Sequence, residues 1–218
     1  RYMRSRKVAI GMLAMMGACM LALAGCEEEK VEEPIRTSTL VLSADGSFTH
    51  CRVESFAKEY YQLDELENMI RQEVSDYVGT ASGQTADGSQ KVAVEQVSSL
   101  EEDQGQVMVA LHFADSGIYE DYMTEVDQQV SELFYGTVQE ALTRGYDLGE
   151  ALRDAKKGAA ITAEQLEKSK ENLILIFEDA LQIRCPSKVL YISGNVRMTE
   201  AGYVDGTAGE GLKYVMIK

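Results

Sequence analysis

"TSTLVLSADGSFTHCRVESF", residues Thr37 to Phe56, decides the class of fold. Two runs rich in Thr, Val and alternating apolar residues flank Asp45-Gly46, the pair favoured by a two-residue type I′ turn. The stretch is expected to be a β-hairpin, with Val41 facing His50 and Leu40 facing Cys51. A turn this short forces antiparallel pairing.

The same logic extends along the chain. "YQLDELENMIRQEVSDYVG" repeats apolar residues at Leu63, Leu66, Ile70, Val74, Tyr77 and Val78, which is helix spacing, with Gly79 as the C-cap. A Gly/Ser/Thr-rich loop, "GTASGQTADGSQ", follows. A second hairpin is expected from strands at Lys91–Leu100 and Gln106–Phe113. From Tyr119 the pattern is mixed: Val126, Val130, Leu133 and Phe134 fit a helix, whereas "LFYG" also fits a short strand. Thr137 to Glu140 and Thr162 to Gln165 have the capping-box form and each opens a helix, the first stopping at Gly145. Strands at Leu173–Glu178, Leu181–Arg184 and Lys188–Ile192, a turn at Gly194-Asn195 and a closing strand "LKYVMIK" complete the order. Hairpins alternating with helices imply an α+β fold: antiparallel hairpins with two to four short helices packed on the sheet. That domain spans residues 37–218, with a break into two subdomains conceivable near 114–120.

Upstream, Arg1 to Lys7 are basic and Val8 to Ala24 are apolar or small, the layout of a secretory signal. The apolar run is shorter than the roughly 20 residues of a spanning helix. It ends at Leu23-Ala24-Gly25-Cys26, which resembles the lipobox of bacterial lipoproteins at all four positions. The resemblance implies a signal peptide over 1–25, cleavage between Gly25 and Cys26, and a diacylglyceryl group on the Cys26 thiol. Two acyl chains give stable anchoring where one is marginal. "CEEEKVEEPIR" then carries five acids between Glu27 and Glu33 and cannot bury itself, so residues 26–36 read as a solvated tether.

Charge narrows the partners. The chain carries 36 acidic against 21 basic residues, a net charge of −15. Residues 1–25 hold four bases and no acid, so the remainder has 17 bases against 36 acids and a net charge of −19. Such a surface repels phosphate backbones, which excludes nucleic acid as a partner.

Chemistry-bearing residues are few. His50 and His112 are the two histidines, each on an expected strand, and no paired His/Cys spacing or calcium-loop pattern exists, so no metal is implied. No G-x-S-x-G, Walker loop or G-x-G-x-x-G occurs, and no cofactor is implied. Cys51 and Cys185 are the thiols of the folded part. Outside the cytoplasm they are candidates for a disulfide, against the alternative of two separate buried thiols. His50 adjoins Cys51, but neighbouring strand residues point to opposite faces. Ser55-Phe56-Ala57-Lys58 and Ser193-Gly194-Asn195 echo two of the three marks of penicillin-recognising serine enzymes, without the third, K-T-G. Tyr60, Tyr61, Tyr119, Tyr122 and Tyr135 suit either a carbohydrate or protein contact surface or, more commonly, half-buried places at a sheet edge.

"LFYGTVQEAL" and "CPSKVLYISGN" are similar to segments of uncharacterised lipoproteins of Gram-positive gut bacteria. That group has no assigned activity, so the resemblance implies location and a shared fold and transfers no catalytic residue. The expected function is a membrane-anchored extracytoplasmic lipoprotein on the outer face of the cell membrane, held through lipid on Cys26. It is read as a non-enzymatic binding or envelope-organising protein with a protein or carbohydrate partner and no catalytic residue. The alternatives are a small envelope hydrolase using Ser55 and Lys58 or Cys51, and a solute-binding lipoprotein of a transporter. The latter usually has two lobes with parallel sheets.

Overall fold

The first hairpin forms, but with a longer turn. In the computed structural model, β1 (Thr39–Leu42) and β2 (Phe48–Ser55) pair antiparallel, with Leu40 opposite His50 and Leu42 opposite Phe48. The Ser43 amide donates to the Ser47 carbonyl at 2.9 Å, which leaves a three-residue loop ending in Gly46 at φ 93°. The Asp45 carboxylate closes it, accepting from the Ser47 amide at 3.0 Å and hydroxyl at 2.7 Å. One added loop residue moves the register by one. Leu40 rather than Val41 therefore faces His50, and Thr39 rather than Leu40 faces Cys51. The physical gain is segregation: Leu40, Leu42 and Phe48 share the buried face, and Val41 and Cys51 the opposite one.

The structure describes residues 34–56, 62–80, 90–100, 105–127 and 131–218. The expected signal peptide, Gly25, Cys26 and the acidic run of the expected tether lie outside the described residues, as do Lys58, Tyr60, Tyr61 and most of the Gly/Ser/Thr loop. Residues Pro34–Lys218 form one unit, whose main core draws on residues from both sides of 114–120. Ile35, assigned to the tether, packs against the patch containing Cys51 and Met108.

Helix α1 (Leu63–Val78) ends at Gly79 as expected. The second hairpin is β3 (Val92–Ser99) and β4 (Gln106–Phe113). Helix α2 (Ser116–Tyr122) follows, capped by Asp115 and continued by a π-helical turn at Met123–Asp127. "LFYG" is a strand, β5 (Leu133–Thr137). Both capping boxes form, opening α3 (Val138–Thr143) and α5 (Ala163–Lys168), with a single-turn α4 (Leu148–Ala151) and β6 (Leu152–Asp154) between them. The remaining strands are β7 (Leu173–Phe177), β8 (Gln182–Arg184), β9 (Val189–Ser193), β10 (Arg197–Met198), β11 (Val204–Asp205) and β12 (Lys213–Ile217). The fold is α+β. Its described helices number five, where two to four were expected.

The strands form two sheets, in the orders β10-β11-β8-β1-β2-β4-β3 and β5-β7-β12-β9-β6. All pairs are antiparallel except β1 with β8, which run parallel. The second sheet is buried on both faces, which explains apolar runs such as "LILIF". Leu175, Phe177, Val215 and Ile217 face the first sheet, while Ile174, Ile176 and Met216 pack against α3, α4 and the segment up to Ile161. Each such buried side chain contributes about 1.5–3 kcal/mol. Tyr135 crosses between the sheets, its hydroxyl donating to the Ser43 carbonyl at 2.7 Å. Lys213 is buried at the start of β12, and its Nζ donates to the carbonyl of Glu178 at 2.5 Å, tying down the chain after β7.

Candidate binding pocket

The apolar stripe of α1 does not bury evenly. Ile70, Val74, Tyr77 and Val78 are buried, from the middle of the helix to its end, while Leu63 and Leu66 are only half-buried. Two tyrosines clamp the second half to α2. Tyr77 donates to Asp121 at 2.7 Å and Tyr122 donates to Glu73 at 3.0 Å, and their rings meet edge to face with centroids 5.1 Å apart. Over its first half α1 stands off the sheet and leaves a pocket of about 580 Å³. That volume lies in the range of small-molecule sites, about 300–1,000 Å³.

Three elements build the walls. One face of α1 supplies Glu65, Leu66, Met69, Ile70 and Glu73, which recur at three- and four-residue spacing. The inward face of β4 supplies Val107, Val109 and Leu111. From β2 come Arg52 and Glu54, an ion pair at 2.7 Å, and Tyr122 contributes from α2. Met69 is 59 % exposed, one of two large apolar side chains so exposed among the described residues. Among the described residues the result is an apolar slot with three carboxylates and one guanidinium about it.

Beside the slot lies His50, on the same face of β2 as Arg52 and opposite Leu40 and Leu111. Burial pushes its imidazole down to about 3, helped by the Arg52 charge, so it is neutral at physiological pH. His112 is on the other face of the sheet, with Nδ1 3.4 Å from the Thr49 hydroxyl and 3.7 Å from Glu95.

The two thiols do not meet. Cys51 and Cys185 are both free, and they belong to opposite faces of the seven-stranded sheet: Cys51 to the patch with Met108 and Ala110, Cys185 to the main core. Their strands are also separated by β1, a lateral distance of about 9–10 Å at two strand spacings. Side chains on opposite faces at that separation cannot be bridged without moving the backbone. Burial raises the Cys51 thiol to about 11 and the Cys185 thiol to about 12, which leaves neither reactive as a thiolate near neutral pH.

Ser55 reaches the pocket rim, but from the end of a strand rather than the start of a helix. Ser193 and Asn195 have a structural task in the turn after β9. The Ser193 hydroxyl donates to Asn195 Oδ1 at 2.6 Å and accepts from the Tyr214 amide at 2.9 Å, and Asn195 Nδ2 donates to the carbonyls of Glu210 and Leu212. Tyr119, Tyr122 and Tyr135 are buried in the main core, deeper than the sheet-edge positions expected, and of the three Tyr122 also lines the pocket. Among the described residues no group of three or more His, Cys, Asp or Glu side chains is placed to hold a metal ion, and no helix is long and apolar enough to cross a membrane.

Sequence reasoning did not single out Arg52, Glu65, Met69 or Glu73. The available signal was an exposed methionine between acids four residues to either side, on the apolar face of an otherwise amphipathic helix. Comparison of the chain with protein-family models, with curated proteins and with solved structures finds no match.

Proposed function

We propose that this is a lipid-anchored binding protein of the outer face of the cell membrane, non-enzymatic, with the pocket between α1 and β4 as its ligand site. The observation that carries the reading is Leu23-Ala24-Gly25-Cys26 at the border between an apolar run and an acidic one. Diacylglyceryl attached at Cys26 holds the protein on the membrane, and the acids that follow keep the folded part solvated. The pocket supports the binding half of the reading. It is concave, apolar-walled and fringed by a few polar groups, as ligand sites are. The nucleophile candidates fit a non-enzymatic role, since Cys51 is buried with a raised thiol and Ser55 is on a strand end.

Cys26→Ser tests the anchor. The wild-type chain should partition into the detergent phase and sediment with membranes. The variant, which cannot form the thioether, should appear in the aqueous phase. Equal partitioning of the two would refute the anchor.

A further inference from the structure

We infer that the pocket between α1 and β4 binds a small primary ammonium compound with an aliphatic or aromatic body, the body lying along Leu66, Met69, Val107 and Val109 and the ammonium seated on Glu73. This deepens the binding reading above and is independent of the lipid anchor. Charge complementarity selects the occupant. Among the described lining residues, the Glu54 carboxylate is engaged by Arg52 at 2.7 Å, and Glu65 and Glu73, both on α1, are the other two carboxylates. Glu73 is the better seat because it is held in place: Tyr122 donates to its Oε1 at 3.0 Å, and the second carboxylate oxygen remains as an acceptor. Tyr122 lines the same pocket, so the oriented carboxylate borders the slot. A carboxylate oriented in advance accepts a charge-assisted hydrogen bond without first losing side-chain freedom.

The apolar walls set the rest of the ligand. Met69 is exposed at the slot, Leu66 is half-buried, and Val107 and Leu111 are buried at the floor. A ligand body against these groups removes their apolar surface from water, which a bare inorganic cation cannot do. Anionic ligands face the carboxylates of Glu65 and Glu73, and a neutral alcohol of the same length gains the walls but not the ion pair.

The test uses the full chain in non-ionic detergent, with hexylammonium, 1-hexanol and hexanoate as probes. Calorimetry with matched detergent blanks gives the affinities, and the assigned Met69 methyl signal reports pocket occupancy. Hexylammonium is expected to shift the Met69 signal and to bind at least tenfold more tightly than hexanol or hexanoate. Glu73→Gln, checked for native circular dichroism, should weaken it about tenfold and erase its advantage over hexanol. Tyr122→Phe, which keeps the ring, should weaken it less. Hexanol binding as tightly as hexylammonium, hexanoate binding best, or unchanged affinity in Glu73→Gln would each overturn the ammonium assignment and leave the binding reading standing. No shift of the Met69 signal with any of the three probes would overturn both.

Discussion

His50 offers a sharp test of the core, because a neutral imidazole is trapped where protonation is costly. It is buried on the inward face of β2 opposite Leu40 and Leu111, with the Tyr119 ring 5.7 Å away and the Arg52 guanidinium two residues along the same strand face. Its folded value is lowered to about 3 from an ordinary 6.5. A depressed value means that the unfolded chain takes up the proton first as the pH falls, so stability drops below about pH 6.5 and continues to drop toward pH 3. Between about pH 7.5 and pH 5 the unfolded imidazole protonates almost fully while the folded one does not. About one and a half pH units at ~1.4 kcal/mol each give a loss of about 2 kcal/mol from this residue. Against a total stability of about 5–15 kcal/mol that is measurable. Asp205, whose carboxyl is lowered to about 2 chiefly by the Thr207 hydroxyl, titrates below this window. Urea unfolding followed by circular dichroism at the two pH values, on wild type and His50→Leu, should give a pH-dependent loss smaller by about 2 kcal/mol in the variant. Identical losses in both proteins would refute the trapped neutral imidazole.

Thr137→Ala removes a capping box in which Thr137 Oγ1 accepts from the Glu140 amide at 3.2 Å and Glu140 accepts from the Thr137 amide at 2.7 Å. It should cost about 1 kcal/mol in urea unfolding. Phe48→Ala empties the junction of Phe113, Tyr119 and Tyr135, whose centroids lie 5.7, 5.7 and 6.4 Å from its own. Its expected cost is about 3–5 kcal/mol by the same assay. Asp205→Asn weakens the grip on Arg197, now 2.7 Å from Oδ2, and should lessen the loss of stability as the pH falls below about 4, the region in which an unfolded aspartate protonates. Cys51 and Cys185 should resist a water-soluble maleimide in the native protein and react once it is unfolded without reductant, and peptide mapping under non-reducing conditions should show no peptide joining them.

What the sequence revealed is what local chemistry controls. The capping residues Thr137 and Thr162 locate their helices because a cap is satisfied within three residues. The α1 periodicity gives the helix and its C-terminus. Register was less legible: Ala44-Asp45-Gly46 can close as a two- or a three-residue loop, each with a positive φ at Gly46, and the choice rests on tertiary burial of Leu40 and Leu42. The parallel pairing of β1 with β8 joins residues more than 140 positions apart and has no local signature. Strands β6, β10 and β11 are two or three residues long, too short to show a period. The pocket was hidden for a related reason. Leu63 and Leu66 fit the same apolar pattern as Ile70 and Val74, and nothing local tells that the Tyr77 and Tyr122 clamp holds only the second half of α1 against the core.

The most direct measurement is the mass of the N-terminal peptide of the protein recovered from the membranes of a bacterium that makes lipoproteins. The expected peptide begins at Cys26, with residues 1–25 removed and a diacylglyceryl mass on the thiol. A peptide that retains Gly25 and the residues before it, with an unmodified Cys26, would contradict the lipid anchor on which the proposed location depends.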